Sequence, residues 1–160
     1  MTPEGLKMFA HHSAVPGTQI KTGVGVVVRD DAGRFLIEKR SDCRMWGLLG
    51  GGIDPGESIA QAAVREVFEE SGFHVEITGL IGVYSSPDCR MLVYPDNGDI
   101  RHLIDVVVEA RIIGGRLKVS SESEKVEFFT ADTLPDEVEI IPPARQALAD
   151  AIAGRRGILG

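Results

Sequence analysis

A mixed α/β domain, with a sheet carrying helices on its faces, is the fold class that three observations predict. β-Branched runs at residues 21–29, 35–39, 75–83 and 100–111 alternate with two helical patterns, one between Ser58 and Gly72 and one over 142–153. Strands interrupted by helices in a single chain stack as layers of sheet and helix. The 160 residues suit one core, since two independent domains of half that size would each be marginal. A composition of 43% hydrophobic and 26% charged residues is that of an ordinary globular chain, not of a disordered or disulfide-scaffold one.

Residues 1–18 lack periodicity and carry Gly5, Pro16 and Gly17, so they read as a variable arm, with residues 19–154 as the domain and 155–160 as a tail. His11 and His12 have no third ligand at a metal-binding spacing and read as solvated. Thr22, Val24, Val26, Val27 and Val28 mark the first strand, and Asp30-Asp31-Ala32-Gly33 turns it into a second. Gly50, Gly51, Gly52, Pro55 and Gly56 make a loop whose backbone can approach another group closely. Ser58 and Gln61 form a capping-box pair at the start of the following helix, and Gly72 ends it. On a helical period Ala60, Ala63, Val64, Val67 and Phe68 share an arc expected to pack on the sheet, leaving Glu66, Glu69 and Glu70 on the other side. A strand over 75–83 follows, then a hairpin of 91–94 with 100–111 around Asp96-Asn97-Gly98, closed by Gly114-Gly115. A short strand over 127–130 precedes Leu134-Pro135, and a last helix with Ala144, Leu148, Ala151 and Ile152 on one side ends at Gly154.

Seventeen basic against twenty-four acidic residues give a net charge of −7, which repels nucleic acid and anionic membrane, and neither Lys39-Arg40 nor Arg155-Arg156 extends into a basic patch. Cys43 and Cys89 are expected to be free thiols in a reducing compartment. With no signal-like or membrane-length apolar run, a soluble cytoplasmic protein without membrane or nucleic-acid partners is the expectation.

The acidic helix carries the chemistry. Glu66, Glu69 and Glu70 stand at i, i+3 and i+4, where each like-charge pair costs roughly 0.2 to 0.5 kcal/mol. They also lie in the last turns, where the helix dipole disfavours them. Two local rules broken beside a glycine-rich loop point to function rather than a solvated face. Clustered carboxylates without His or Cys select hard cations, Mg²⁺ with Mn²⁺ as a possible substitute, and such ions share their coordination with phosphate oxygens.

Gly51, Glu57, Arg65-Glu66-Val67, Glu69-Glu70 and Gly72-Phe73 stand at spacings that match the complete signature of the Nudix hydrolase family, and the chain resembles that family over about residues 20–153. Trp46-Gly47-Leu48-Leu49-Gly50-Gly51-Gly52 before the signature and Phe128-Phe129 with Leu134-Pro135 after it add to the likeness. The resemblance implies a Nudix-type α/β/α sandwich with a mixed sheet and the acidic helix packed on it. It implies Mg²⁺-dependent attack of water on the pyrophosphate linkage of a nucleoside diphosphate joined to another moiety, of ADP-ribose or NDP-sugar type, releasing a nucleoside monophosphate.

By the same resemblance Glu69 and Glu70 are principal metal ligands and Glu66 is a further ligand or the base. Arg65 orients a glutamate, the carbonyl of Gly50 or Gly51 faces a metal, and Glu57 supports the metal shell or is purely structural. Some relatives take their base from outside the signature; of Glu122, Glu124 and Glu127, the loop residue Glu122 is preferred. Pro87 resembles a position of ADP-ribose-cleaving relatives and equally suits a plain turn, while Phe9, Tyr84, Tyr94 and His102 are candidates to stack on a base. Leu6, Met8 and Phe9 pack across a homodimer or belong to a free tail. Two other functions remain: removal of modified nucleoside triphosphates, and nucleotide sensing without cleavage, which the retained Glu66 and Glu69 disfavour.

Overall fold

β-Branched density builds β1 (Gln19–Arg29), and the Asp30 carboxylate accepts hydrogen bonds from the amides of Ala32 and Arg34 to close the turn into β2 (Phe35–Arg40). The computed structural model describes residues 8–9, 13–94 and 97–160. Leu6, His11, His12 and Asp96 lie outside the described residues. β3 (Trp46–Gly47) and β4 (Leu49–Gly52) follow, then α1 (Ile59–Ser71), β5 (Phe73–Tyr84), the short α2 (Pro87–Arg90), β6 (Met91–Val93) and β7 (Ile100–Gly115). β8 (Ser123–Phe129), α3 (Pro142–Ile152) and β9 (Ile158–Leu159) complete the chain.

The strands form one mixed sheet in the order β3-β2-β1-β7-β5-β9, with β4 on β1, β6 on β7 and β8 on β2. β7 takes one edge of β1 in parallel along its whole length. The other edge is divided: Gly23 to Val26 pair with β4 and Val28-Arg29 with β2. That division places the glycines of β4 against the middle of the sheet.

Each face of the sheet has its own core. Val24, Val26, Val28, Leu36 and Val108 pack on Ala62, Ala63 and Val67 of α1. Val27, Ile37, Ile81 and Val107 pack on Ala144, Ala147, Leu148 and Ala151 of α3. The arrangement is the expected α/β/α sandwich. Among the described residues no helix is long and apolar enough to cross a membrane.

α1 begins and ends where its caps require. Both capping-box bonds of Ser58 and Gln61 are made, and Gly72 adopts φ 77°, its amide donating to the Phe68 carbonyl. A side chain at Gly72 would run into the Arg116 carbonyl oxygen. The helix is rotated from the apolar arc expected: Ala62, Ala63, Val67, Glu70 and Ser71 are buried, whereas Ala60 and Phe68 are exposed. Phe68 instead stacks on His74, with ring centroids 4.7 Å apart.

Two segments outside the expected domain join it. Phe9 is buried in the α3-side core with Met8 packed against it, and β9 pairs with Gly82 and Val83 of β5. β8 also starts earlier than expected, so Glu127 lies within it and Glu124 is on a strand rather than in the loop.

Candidate active site

Arg65 organises the loop side of α1. Its Nε and Nη2 donate to the two oxygens of Glu57 at 2.5 and 3.0 Å, a two-pronged contact that fixes the guanidinium plane. Nη1 reaches Glu66 Oε1 at 3.0 Å and Glu69 Oε2 at 3.2 Å, and Nη2 also donates to the Gly52 carbonyl at 3.0 Å. Glu57 accepts from the Asp54 amide at 3.0 Å as well. Arg65 first, then that amide, holds its carboxyl down to about 2. The structure therefore brings Glu57, Arg65, Glu66 and Glu69 into one network, with Glu57 tying the loop to the helix.

Glu70 turns inward beside Glu66. It is 5% exposed, and its Oε2 accepts from the Gly50 amide at 3.2 Å. Burial, then the charge of Glu38, push its carboxyl up to about 10 against the Gly50 hydrogen bond, with further elevation from the charge of Glu66 and a side-chain hydrogen bond to it. Glu66 is mostly buried, whereas Glu69 is 56% exposed. The three signature carboxylates thus do not share one solvated face: two turn toward β4 and one toward solvent. Glycines make that possible, because a Cβ at Gly51 would stand 2.5 Å from Glu66 Oε1, and one at Gly50 would strike the Val24 carbonyl oxygen.

Glu38 is the acid that the sequence reading missed. It lies on β2, 5% exposed, and accepts from Ser123 Oγ at 2.5 Å. Burial raises its carboxyl, opposed by Ser123 and Arg40 and reinforced by Asp42 and Glu122. The available signal was its register: two residues after Leu36, it occupies the core-facing side of a strand, where an unpaired acid is unusual.

Of the downstream candidates, Glu122 stands in the turn before β8, where its carbonyl accepts from Ser41 N and Oγ at 3.0 and 2.7 Å and its charge acts on Glu38. Glu124 pairs with Arg44 at 2.9 Å, and Glu127 with Lys125 at 3.6 Å. The aromatic candidates are otherwise engaged: Phe9 is in the core, Tyr84 is buried and donates to Asp150 at 2.7 Å, and Arg101 lies over Tyr94. His102 Nε2 contacts the Ser85 carbonyl at 2.6 Å. Pro87 opens α2 at a position where proline is favoured.

Among the described residues no three carboxylate, His or Cys groups are already drawn into a ligand cage. The residues nevertheless fit a hard divalent cation. Their donors are all oxygen, and the charges of Glu38 and Glu66, which after burial lift the Glu70 carboxyl, are what a nearby cation offsets.

A family model described as NUDIX domain matches residues 19–151. The ADP-ribose pyrophosphatase of Methanocaldococcus jannaschii is 36% identical over 115 residues, covering 69% of this chain and 62% of that protein, so the chain spans less than two thirds of that relative's length. The nucleoside triphosphatase NudI of Escherichia coli O1:K1 / APEC is 36% identical over 120 residues, covering 71% of this chain and 84% of the relative. A solved NUDIX hydrolase from Nitrosomonas europaea superposes with a TM-score of 0.70 at 22% identity, covering 88% of this chain and 94% of that one, a likeness of fold. With the signature on its capped helix, the sandwich around it and a family model along most of its length, the chain belongs to the Nudix hydrolase family.

Proposed function

We propose that the protein hydrolyses the pyrophosphate linkage of a small cytoplasmic nucleoside diphosphate derivative, of ADP-ribose or NDP-sugar type, and releases a nucleoside monophosphate. The observation that carries this reading is the convergence of Glu38 and Glu66 on the buried Glu70 beside Gly50, a concentration of negative charge that calls for a cation and, through it, a phosphate. The relative named ADP-ribose pyrophosphatase supports the substrate class.

In this reading Glu69, Glu70 and Glu66, with the Gly50 carbonyl, would hold Mg²⁺, or Mn²⁺ in its place, and such an ion would supply charge neutralisation for the phosphate oxygens and acidification of water. Arg65, clamped by Glu57, holds Glu66 in position. Water forms the new bond to one phosphorus, the bridging P–O bond breaks with its electron pair leaving on the departing phosphate, and the water's proton passes to a Glu66 carboxylate oxygen. Glu122 is the alternative acceptor.

A second reading, cleavage of nucleoside triphosphates, is favoured by the relative named nucleoside triphosphatase, most of whose length this chain covers. A panel of ADP-ribose, UDP-glucose and nucleoside triphosphates, incubated with Mg²⁺ or in chelator and resolved by product chromatography, separates the two. Monophosphate from ADP-ribose or UDP-glucose only with the cation is the expected result. Pyrophosphate from triphosphates alone gives the second reading, and binding without any product makes the protein a sensor.

A further inference from the structure

The parallel starts of β1 and β7 frame a polar cavity remote from the acidic site. Gln19 and Arg101 are the first pair of the two strands. The segments leading into them enclose about 400 Å³, with Pro16, Thr18, Gln19, Asp99 and Arg101 among the lining residues. That volume falls within the range of small-molecule sites. Gly50 of β4 pairs with Gly25, six residues further along β1, so the cavity lies roughly 20 Å from the glycines of the acidic site.

Arg101 is the unusual group in this cavity. Its side chain is 22% exposed, and its guanidinium lies over the Tyr94 ring at 4.2 Å, which holds it in place. Among the described residues it donates no hydrogen bond, whereas every other arginine except the exposed Arg116 donates at least one from its side chain. The carboxylate at hand does not serve it: Asp99 Oδ2 is 4.0 Å away and already accepts from Asn97 Nδ2 at 3.0 Å. A guanidinium that has given up most of its water without gaining an acceptor is costly until a ligand supplies one. Its planar fork of N–H donors matches the paired oxygens of a carboxylate or phosphate.

The rest of the lining suits a polar body attached to that head. Val15 N donates to Thr18 Oγ1 at 2.9 Å, which leaves the hydroxyl hydrogen available as a donor, and the Gln19 amide adds a donor and an acceptor. We propose that this cavity is a second ligand site, which binds a small hydroxylated oxoanion, a sugar phosphate or a hydroxy acid, with its anionic head on Arg101. The inference goes beyond the hydrolase reading and does not depend on it.

The test is calorimetric titration in chelator with ribose 5-phosphate, gluconate and neutral ribose, joined to amide NMR shifts of the wild type. Without a cation the glutamates repel anions, which removes the acidic site from the measurement. Ribose 5-phosphate or gluconate is expected to bind and ribose is not, with shifts at Gly17, Thr18, Gly98 and Arg101 rather than at Gly50 and Gly51. Which of the two anions binds tells a phosphate head from a carboxylate head. Arg101→Gln should weaken that binding about 10- to 100-fold, the range for a hydrogen bond to a charged group. Arg101→Lys, which keeps the charge but not the paired donors, should weaken it less. The wild-type shifts decide the matter even where a variant folds poorly. Binding of neither anion, equal binding of ribose, shifts confined to Gly50 and Gly51, or an affinity unchanged in Arg101→Gln overturns the proposal.

Discussion

Glu38 on β2 and Glu70 on α1 meet only in the folded chain, and after burial the charge of Glu38 is the largest influence lifting the Glu70 carboxyl. Glu38→Gln keeps an oxygen for Ser123 and removes that charge. The Mg²⁺ concentration for half-maximal activity should rise on the order of 10-fold while kcat at saturating Mg²⁺ changes far less. An unchanged Mg²⁺ titration would place Glu38 outside the cation's field.

Glu70→Gln separates catalysis from folding. With its proton held up to about pH 10, Glu70 is neutral at pH 7 in chelator, so the amide replaces it without loss of charge. Denaturant midpoints in chelator should agree below about pH 4.5, whereas at pH 7 Glu70→Gln should be the more stable, because the wild type alone must take up a proton to fold; the stabilisation that Mg²⁺ gives the wild type should be reduced in the variant. kcat should fall by on the order of 10² or more. A loss of about 3 kcal/mol in chelator with near-normal kcat would instead mark Glu70 as the partner of a buried ion pair.

The pH dependence of stability has a predicted sign. Between the ordinary carboxyl value of 4.5 and about 10 the folded chain keeps the Glu70 proton and the unfolded chain has released it. The stability this residue contributes without metal is complete below 4.5 and is lost as pH rises through that window, at no more than about 1.4 kcal/mol per pH unit. Glu57, held at about 2, acts in the other direction: its contribution is present above 4.5 and lost as pH falls toward 2. Melts in chelator from mildly acid to mildly alkaline pH should show the wild type declining relative to Glu70→Gln. Parallel profiles would refute the elevated carboxyl.

Arg65→Lys should be poorly tolerated in turnover and well tolerated in folding. One ammonium cannot serve Glu57, Glu66, Glu69 and the Gly52 carbonyl together, whereas the contacts it replaces are partly solvated. Steady-state kinetics should give a kcat lower by about 10- to 100-fold, the scale of a lost supporting contact, with little change in thermal midpoint. A large loss of stability with normal turnover would make the cluster a structural clamp.

Features fixed by neighbours in the chain were legible in the sequence. Ser58 and Gln61 cap α1 and Gly72 ends it because those contacts span only a few residues. The side of α1 that faces the core was not legible, since apolar periodicity assigns Phe68 inward and Glu70 outward, the reverse of what packing against β4 and β1 produces. Glu38 was invisible for a related reason: its meeting with Glu70 depends on how two distant elements stack.

The divided edge of β1 bears on the order in which the molecule assembles. The signature is continuous in the chain, yet its glycines lie on β4, which aligns on β1, and β1 is zipped along its other side to β7, from Gln19 against Arg101 to Arg29 against Arg111. Closing so long a loop is slow, and no local contact rewards it in advance. The acidic site is therefore a late product of folding with little independent life: a fragment ending at Gly72 would carry the whole cluster of glutamates without the rail that aligns them, and amide exchange at Gly50 and Gly51 should report the opening of the entire sheet.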